Sequence, residues 1–121
     1  MGQIIAIGGG VSLLDGGTPV DEYIIAQASN PAPRVAFFGT ASGDAAMYVE
    51  AFQALYQQLG CTTTNVPLLG RTPDLSLLLE QDVIYVGGGN TKSMLALWRE
   101  WRVVDLLTQA YEKGAVLAGV S

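Results

Sequence analysis

In Val83-Ile84-Tyr85-Val86-Gly87-Gly88-Gly89-Asn90-Thr91, four apolar residues run unbroken into three glycines, and a polar pair follows. An apolar run without alternation describes a strand covered on both faces, as in a parallel sheet. The glycines let the backbone bend sharply, and Asn90-Thr91 puts a side-chain amide and a hydroxyl where the next helix starts. Strand, glycine turn, helix is the building unit of an α/β sheet. On these residues alone the turn has two readings. It is a tight connection with Asn or Thr as helix N-cap, or a loop whose amides face a bound group and stabilise a developing oxyanion.

The same unit recurs along the chain. Gln3–Ile7, Arg34–Phe38, Thr63–Leu68 and Ala115–Ala118 also read as strands, and glycine follows directly at Gly8, Gly39, Gly87 and Gly119. Helical patterns lie between them. The clearest spans Asp44–Leu59, where Val49, Phe52, Tyr56 and Leu59 make one apolar stripe, with Ser42 as N-cap, Asp44 in the first turn and Gly60 at C′. Asp21–Ala28, Asp74–Leu79, Thr91–Glu100 and Val103–Lys113 are the others, the last closed by Gly114, and Pro31 and Pro33 mark a loop. This alternation predicts an α/β fold with a doubly wound, mostly parallel sheet.

With 121 residues the chain suits a single domain over 1–121, and half of its residues are apolar, enough to bury a core. The net charge of −5 and six scattered basic residues argue against nucleic acid and anionic membrane as partners. No apolar run is long enough to span a membrane. The start, MGQIIAIGGG, lacks a basic n-region and a cleavage site, so a cytoplasmic location is expected. Cys61 stands alone, which excludes an intrachain disulfide and reads as a small residue where helix gives way to strand. With no histidine and a single cysteine, nothing in the chain resembles a metal site, and no metal or organic cofactor is expected.

Three further glycine turns could carry chemistry. Gly8-Gly9-Gly10 is followed by Val11-Ser12-Leu13, so the third glycine of a dinucleotide fingerprint is missing, and a turn passing close to the sheet edge is the better reading. Gly39-Thr40-Ala41-Ser42-Gly43 offers hydroxyls and amides to an anion, although helix capping by Ser42 explains the same residues. Leu117-Ala118-Gly119-Val120-Ser121 is an apolar strand running into G-x-S, the first part of a nucleophile elbow, at the sheet edge where open α/β folds bind ligands.

Taken together, strand-GGGNT-helix and strand-G-V-S, with the spacing from Asn90 to Ser121, resemble the peptidase E family of serine peptidases, the aspartyl dipeptidases, over the whole chain. The resemblance implies the fold of class I glutamine amidotransferases, incomplete here on the C-terminal side. It implies Ser121 as nucleophile and the Gly89 backbone amide, beside Gly88, as half of the oxyanion hole. It also implies that Asn90, next to Thr91, contacts the N-terminal aspartate of a small peptide substrate. Cyanophycinases are similar in the elbow, but their glycine turn tends to continue Asp-Gln.

In that family the general-base histidine and its acidic partner lie downstream, and the second oxyanion amide follows the serine. Here nothing follows Ser121 and no histidine occurs. A serine hydroxyl is a weak nucleophile until a base takes its proton, so these residues alone are not expected to catalyse. Further polypeptide supplying His and Asp or Glu is expected, and self-association into a homo-oligomer is a separate option. A non-catalytic α/β module binding a small ligand at its glycine turns is the alternative from another class.

Overall fold

The computed structural model describes residues 2–8, 13, 16–17, 19–70 and 74–120. β1 (Gln3–Ile7), β2 (Arg34–Phe38), β3 (Thr62–Asn65), β4 (Val83–Val86) and β5 (Val116–Val120) form one sheet in the order β1-β5-β4-β2-β3. Every pairing is parallel. Val86 is level with Phe38 on one side and Gly119 on the other, and Ile7 is level with Val120. The C-terminal ends of β1, β5, β4 and β2 therefore share one edge, which carries Gly8, Gly39, Gly87 and Gly119.

Two helical layers cover the sheet, as the unbroken apolar strands require. α1 (Pro19–Gln27) and α2 (Ala46–Gln58) pack with Val35, Phe37, Val83, Tyr85, Val116 and Ala118. α3 (Thr91–Glu100), α4 (Val103–Glu112) and the 3-10 segment Leu75–Glu80 pack with Ala36, Phe38 and Ile84 on the opposite face. Successive strand residues thus serve opposite cores, following the period of two. Cover thins at the β1 edge: Ile4, paired with Leu117 on the α3–α4 side, is 70 % exposed.

Element boundaries depart from the sequence expectations for identifiable reasons. α1 begins at Pro19 rather than Asp21, because a first-turn residue has no intrahelical N–H bond to lose. α2 begins at Ala46 rather than Asp44, and Ser42 is not its cap. Ser42 lies in a 3-10 turn, Thr40–Ser42, with its hydroxyl donating to the Gly39 carbonyl, and Ala45 precedes α2 with no side-chain cap. β3 covers Thr62–Asn65, since Pro67 cannot donate to a ladder. The expected helix at Asp74–Leu79 is the 3-10 segment, whose i, i+3 pair Leu75 and Leu78 points inward and whose Asp74 carboxylate accepts the Ser76 N–H. β5 runs through Gly119 to Val120, so that glycine lies within the strand rather than after it. Gly60 and Gly114 close α2 and α4 as expected. In each case the next residue, Cys61 or Ala115, donates back to the helix, to Tyr56 and Ala110 respectively. Cys61 is buried at the helix-to-strand junction, and burial pushes its thiol up.

Rings fill the α1–α2 core. Phe52 stacks on Phe37 at 4.6 Å and on Tyr56 at 4.5 Å, and Tyr85 leans against all three. The Tyr56 hydroxyl donates to buried Asp21 at 2.6 Å, which secures the start of α1 to α2. Burial, then the Asp21 hydrogen bond, holds the Tyr56 phenol above its ordinary range; burial, then the Asp21 charge, pushes Tyr85 up to about 12.

Phe52→Ala should cost about 3–5 kcal/mol in urea unfolding, because it empties the middle of a fully buried stack. The raised phenols predict an alkaline limit. An unfolded tyrosine loses its proton near pH ~10 while the folded one keeps it, so their stabilisation is complete below ~10. It is lost as pH rises toward about 12. Urea midpoints at stepped pH should show this decline, and Tyr85→Phe should make it shallower.

Candidate active site

β2 and β4 are neighbours whose onward connections part company. The chain leaves β2 toward α2 on one face and leaves β4 toward α3 on the other. Adjacent strands with diverging connections open a crevice at their C-terminal ends, where α/β sheets bind ligands. One wall is the Gly87–Asn90 turn and the other is the 3-10 turn after β2.

The two walls are bonded together. Gly87 N–H donates to the Phe38 carbonyl at 3.0 Å, extending the ladder, and Asn90 N–H donates to the Ala41 carbonyl at 2.7 Å. Between them Gly89 sits at φ 145, and a Cβ added there would lie 2.3 Å from the Ala41 oxygen. No other residue fits that approach or adopts that backbone without strain. Behind the turn, buried Trp98 of α3 donates its indole N–H to Thr40 at 3.3 Å and tilts against Phe38.

Asn90 is the N-cap of α3: its side-chain oxygen accepts the Ser93 N–H at 3.0 Å. The capping role therefore uses the oxygen, and the NH₂ end belongs to an exposed residue. Thr91 follows, exposed, as the first residue of α3. Among the described residues neither the Gly88 nor the Gly89 N–H has an acceptor. The first turn of α3 carries no acidic residue, so the positive end of the helix remains uncompensated beside these amides. An anionic group or a polarised oxygen is the complementary ligand.

Of the sequence candidates, the structure groups Gly88, Gly89, Asn90 and Thr91 at the end of β4. Ser121 lies outside the described residues, as do Gly9-Gly10-Val11-Ser12 of the first glycine run. Val120 ends β5 on the strand next to β4. Sequence reasoning missed Trp98 and Asp44, which hold the β2 wall in place. Nothing local marks either, because both act on residues far along the chain. Among the described residues no cluster of His, Cys, Asp or Glu could hold a metal.

An open parallel α/β sheet with a glycine-amide turn at its C-terminal edge defines a doubly wound protein with its ligand crevice in the usual place. The sequence model of Peptidase family S51 matches residues 4–121, and the chain belongs to that family, the family of peptidase E. It is 42 % identical over 125 residues to YgaJ, an uncharacterized peptidase of Bacillus subtilis strain 168, covering all of this chain and 54 % of that protein. Among solved structures, a candidate peptidase E protein from Listeria monocytogenes EGD-e aligns with TM-score 0.72 at 24 % identity, over all of this chain and 59 % of that one. A peptidase from an acI-B1 Actinobacterium aligns with TM-score 0.80 at 18 % identity, over all of this chain and 54 % of that one. The chain thus spans about half the length of these relatives, and the structural matches share its fold.

Gly89→Ala should destabilise by about 1–3 kcal/mol in denaturant unfolding, through forced backbone strain. Gly8→Ala, where an added Cβ meets nothing within 4 Å among the described residues, is the control and should stay within about 0.5 kcal/mol of wild type.

Proposed function

We propose that this chain carries the nucleophile half of a serine peptidase site that releases N-terminal aspartate from small peptides. The observation that carries the reading is the Gly88–Gly89 amide pair. It is without an acceptor among the described residues and lies at the end of the strand adjacent to β5, whose last residue, Val120, is bonded to Ser121. Membership of a peptidase family supports the class of reaction.

In this reading the Ser121 hydroxyl oxygen attacks the scissile carbonyl while a histidine base takes its proton. The carbonyl oxygen becomes an oxyanion and receives the Gly89 N–H, with Gly88 beside it, in a turn already rigid before substrate arrives. Collapse breaks the C–N bond, and the leaving amine takes the proton from the histidine. Water then hydrolyses the acyl-enzyme ester by the same base, freeing aspartate and regenerating the serine. Asn90 and Thr91 meet the substrate's aspartyl end, Asn90 through the NH₂ group that capping leaves available. A cyanophycinase-like peptidase would use the same serine and turn on a different aspartyl substrate.

The base and its acidic partner come from further polypeptide, since a second copy of these 121 residues brings no histidine. Exposed Ile4 beside half-buried Leu117 favours additional cover on that face. No helix among the described residues is long and apolar enough to cross a membrane, and the proposed setting is the cytoplasm.

Ser121→Ala, in protein assembled with its base, should abolish aspartate release from an Asp-containing dipeptide and covalent labelling by a fluorophosphonate. Stability should change by no more than about 0.5 kcal/mol. Undiminished cleavage would move the nucleophile elsewhere. A wild-type protein that is neither labelled nor active, yet binds small anions at the α3 end, would favour the binding module, since free amides at a helix start suit that role too.

A further inference from the structure

We propose that Asp44 is a positioning residue for the Gly88–Asn90 turn, acting through the backbone of residues 39–41. What it positions being an oxyanion turn rests on the peptidase reading; that it positions the turn at all rests on geometry alone.

Asp44 has φ 57, a left-handed conformation that few residues other than glycine adopt. It is held there from several sides. One carboxylate oxygen accepts the N–H groups of both Leu68 and Leu69, each at 3.0 Å, across from the segment after β3. Its own N–H donates to the Gly39 carbonyl at 2.8 Å, which also accepts the Ser42 N–H and hydroxyl. The other carboxylate oxygen is buried and has no hydrogen-bond partner among the described residues. Such an arrangement persists only where surrounding bonds overdetermine it.

The far end of this closed loop bears on the candidate site. Ala41 gives its carbonyl to the Asn90 N–H at 2.7 Å and abuts Gly89. Residues 39–44 therefore form a strut. The Asp44 carboxylate clamps one end to the chain after β3, and Ala41, midway along it, sets where Gly89 and Asn90 can sit. Trp98 secures the middle through Thr40 but leaves the β3 side to Asp44 alone among the described residues.

The test uses Asp44→Gly, which removes the carboxylate while accepting the same backbone, and Asp44→Asn, which keeps an acceptor oxygen and tolerates left-handed φ. Amide hydrogen exchange at Asn90 is the primary readout, with Ile24→Val as a control that loosens the opposite core. Asp44→Gly should speed Asn90 exchange about tenfold or more relative to the control, as expected for loss of charge-assisted hydrogen bonds, and Asp44→Asn should restore most of the protection. In assembled active protein, Asp44→Gly should lower kcat with little change in KM. Asn90 exchange no faster than in the control would overturn the proposal whatever the activity. Faster exchange in protein that never cleaves Asp peptides, wild type included, would leave Asp44 as the strut and remove the peptidase reading instead.

Discussion

The Ala41 carbonyl and the Gly89 backbone approach so closely that a single methyl group would not fit between them. Much of the candidate site follows from that contact. It sets the separation of the loops after β2 and β4, lets Asn90 N–H reach Ala41, and starts α3 with its cap already in place. A turn fixed in this way holds its amides without rearrangement, which is the condition for electrostatic stabilisation of a short-lived charge. Packing at the sheet edge and the shape of the crevice thus rest on one steric requirement.

The two faces of the sheet contribute differently. On the α1–α2 side, stacked rings and the Tyr56–Asp21 hydrogen bond make a dense core with a polar tie at its margin. Aromatic stacking of this kind adds about 0.5–1.5 kcal/mol per pair beyond area burial. The α3–α4 side relies mainly on aliphatic residues, with Phe38 against Trp98, which spans from the core to Thr40 in the crevice wall. Rigidity on the first face and connectivity on the second together keep the strand ends level, so loops from different strands meet at one edge.

Membership of Peptidase family S51 gives this edge its chemical context, and relatives run to about twice the length of the chain. In the proposed reading, the nucleophile and its oxyanion amides belong to one half of such a fold because β5 and β4, which lead to them, are adjacent parallel strands. A base and its acidic partner need not be near them in sequence, since triad members are defined by geometry and not by order along the chain.

Periodicity and turn chemistry in the sequence were sufficient to locate all five strands, and to set the bounds of β1, β2, β4 and α3 but not those of β3 and β5. Gln3–Ile7, Arg34–Phe38, Val83–Val86 and Thr91–Glu100 all have bounds that follow from local apolar runs and their flanking glycines. The family was legible for the same reason: GGGNT and G-V-S are short, contiguous and close to backbone turns. Some boundaries shifted for local reasons, such as Pro19 opening α1 and Ser42 bonding Gly39 three residues back, and others where long-range bonds overrode local preference. Asp44, a reasonable first-turn helix residue by composition, is turned outward from α2 because Leu68 and Leu69 claim its carboxylate. Ser42, a good cap by type, is claimed by Gly39. The sequence determined strand, turn and helix because these depend on neighbours a few residues apart. Only the tertiary structure decided that Ala41 faces Gly89, that Trp98 reaches Thr40 and that Asp44 joins two loops, because each pairing depends on the strand order β1-β5-β4-β2-β3, which no local pattern encodes.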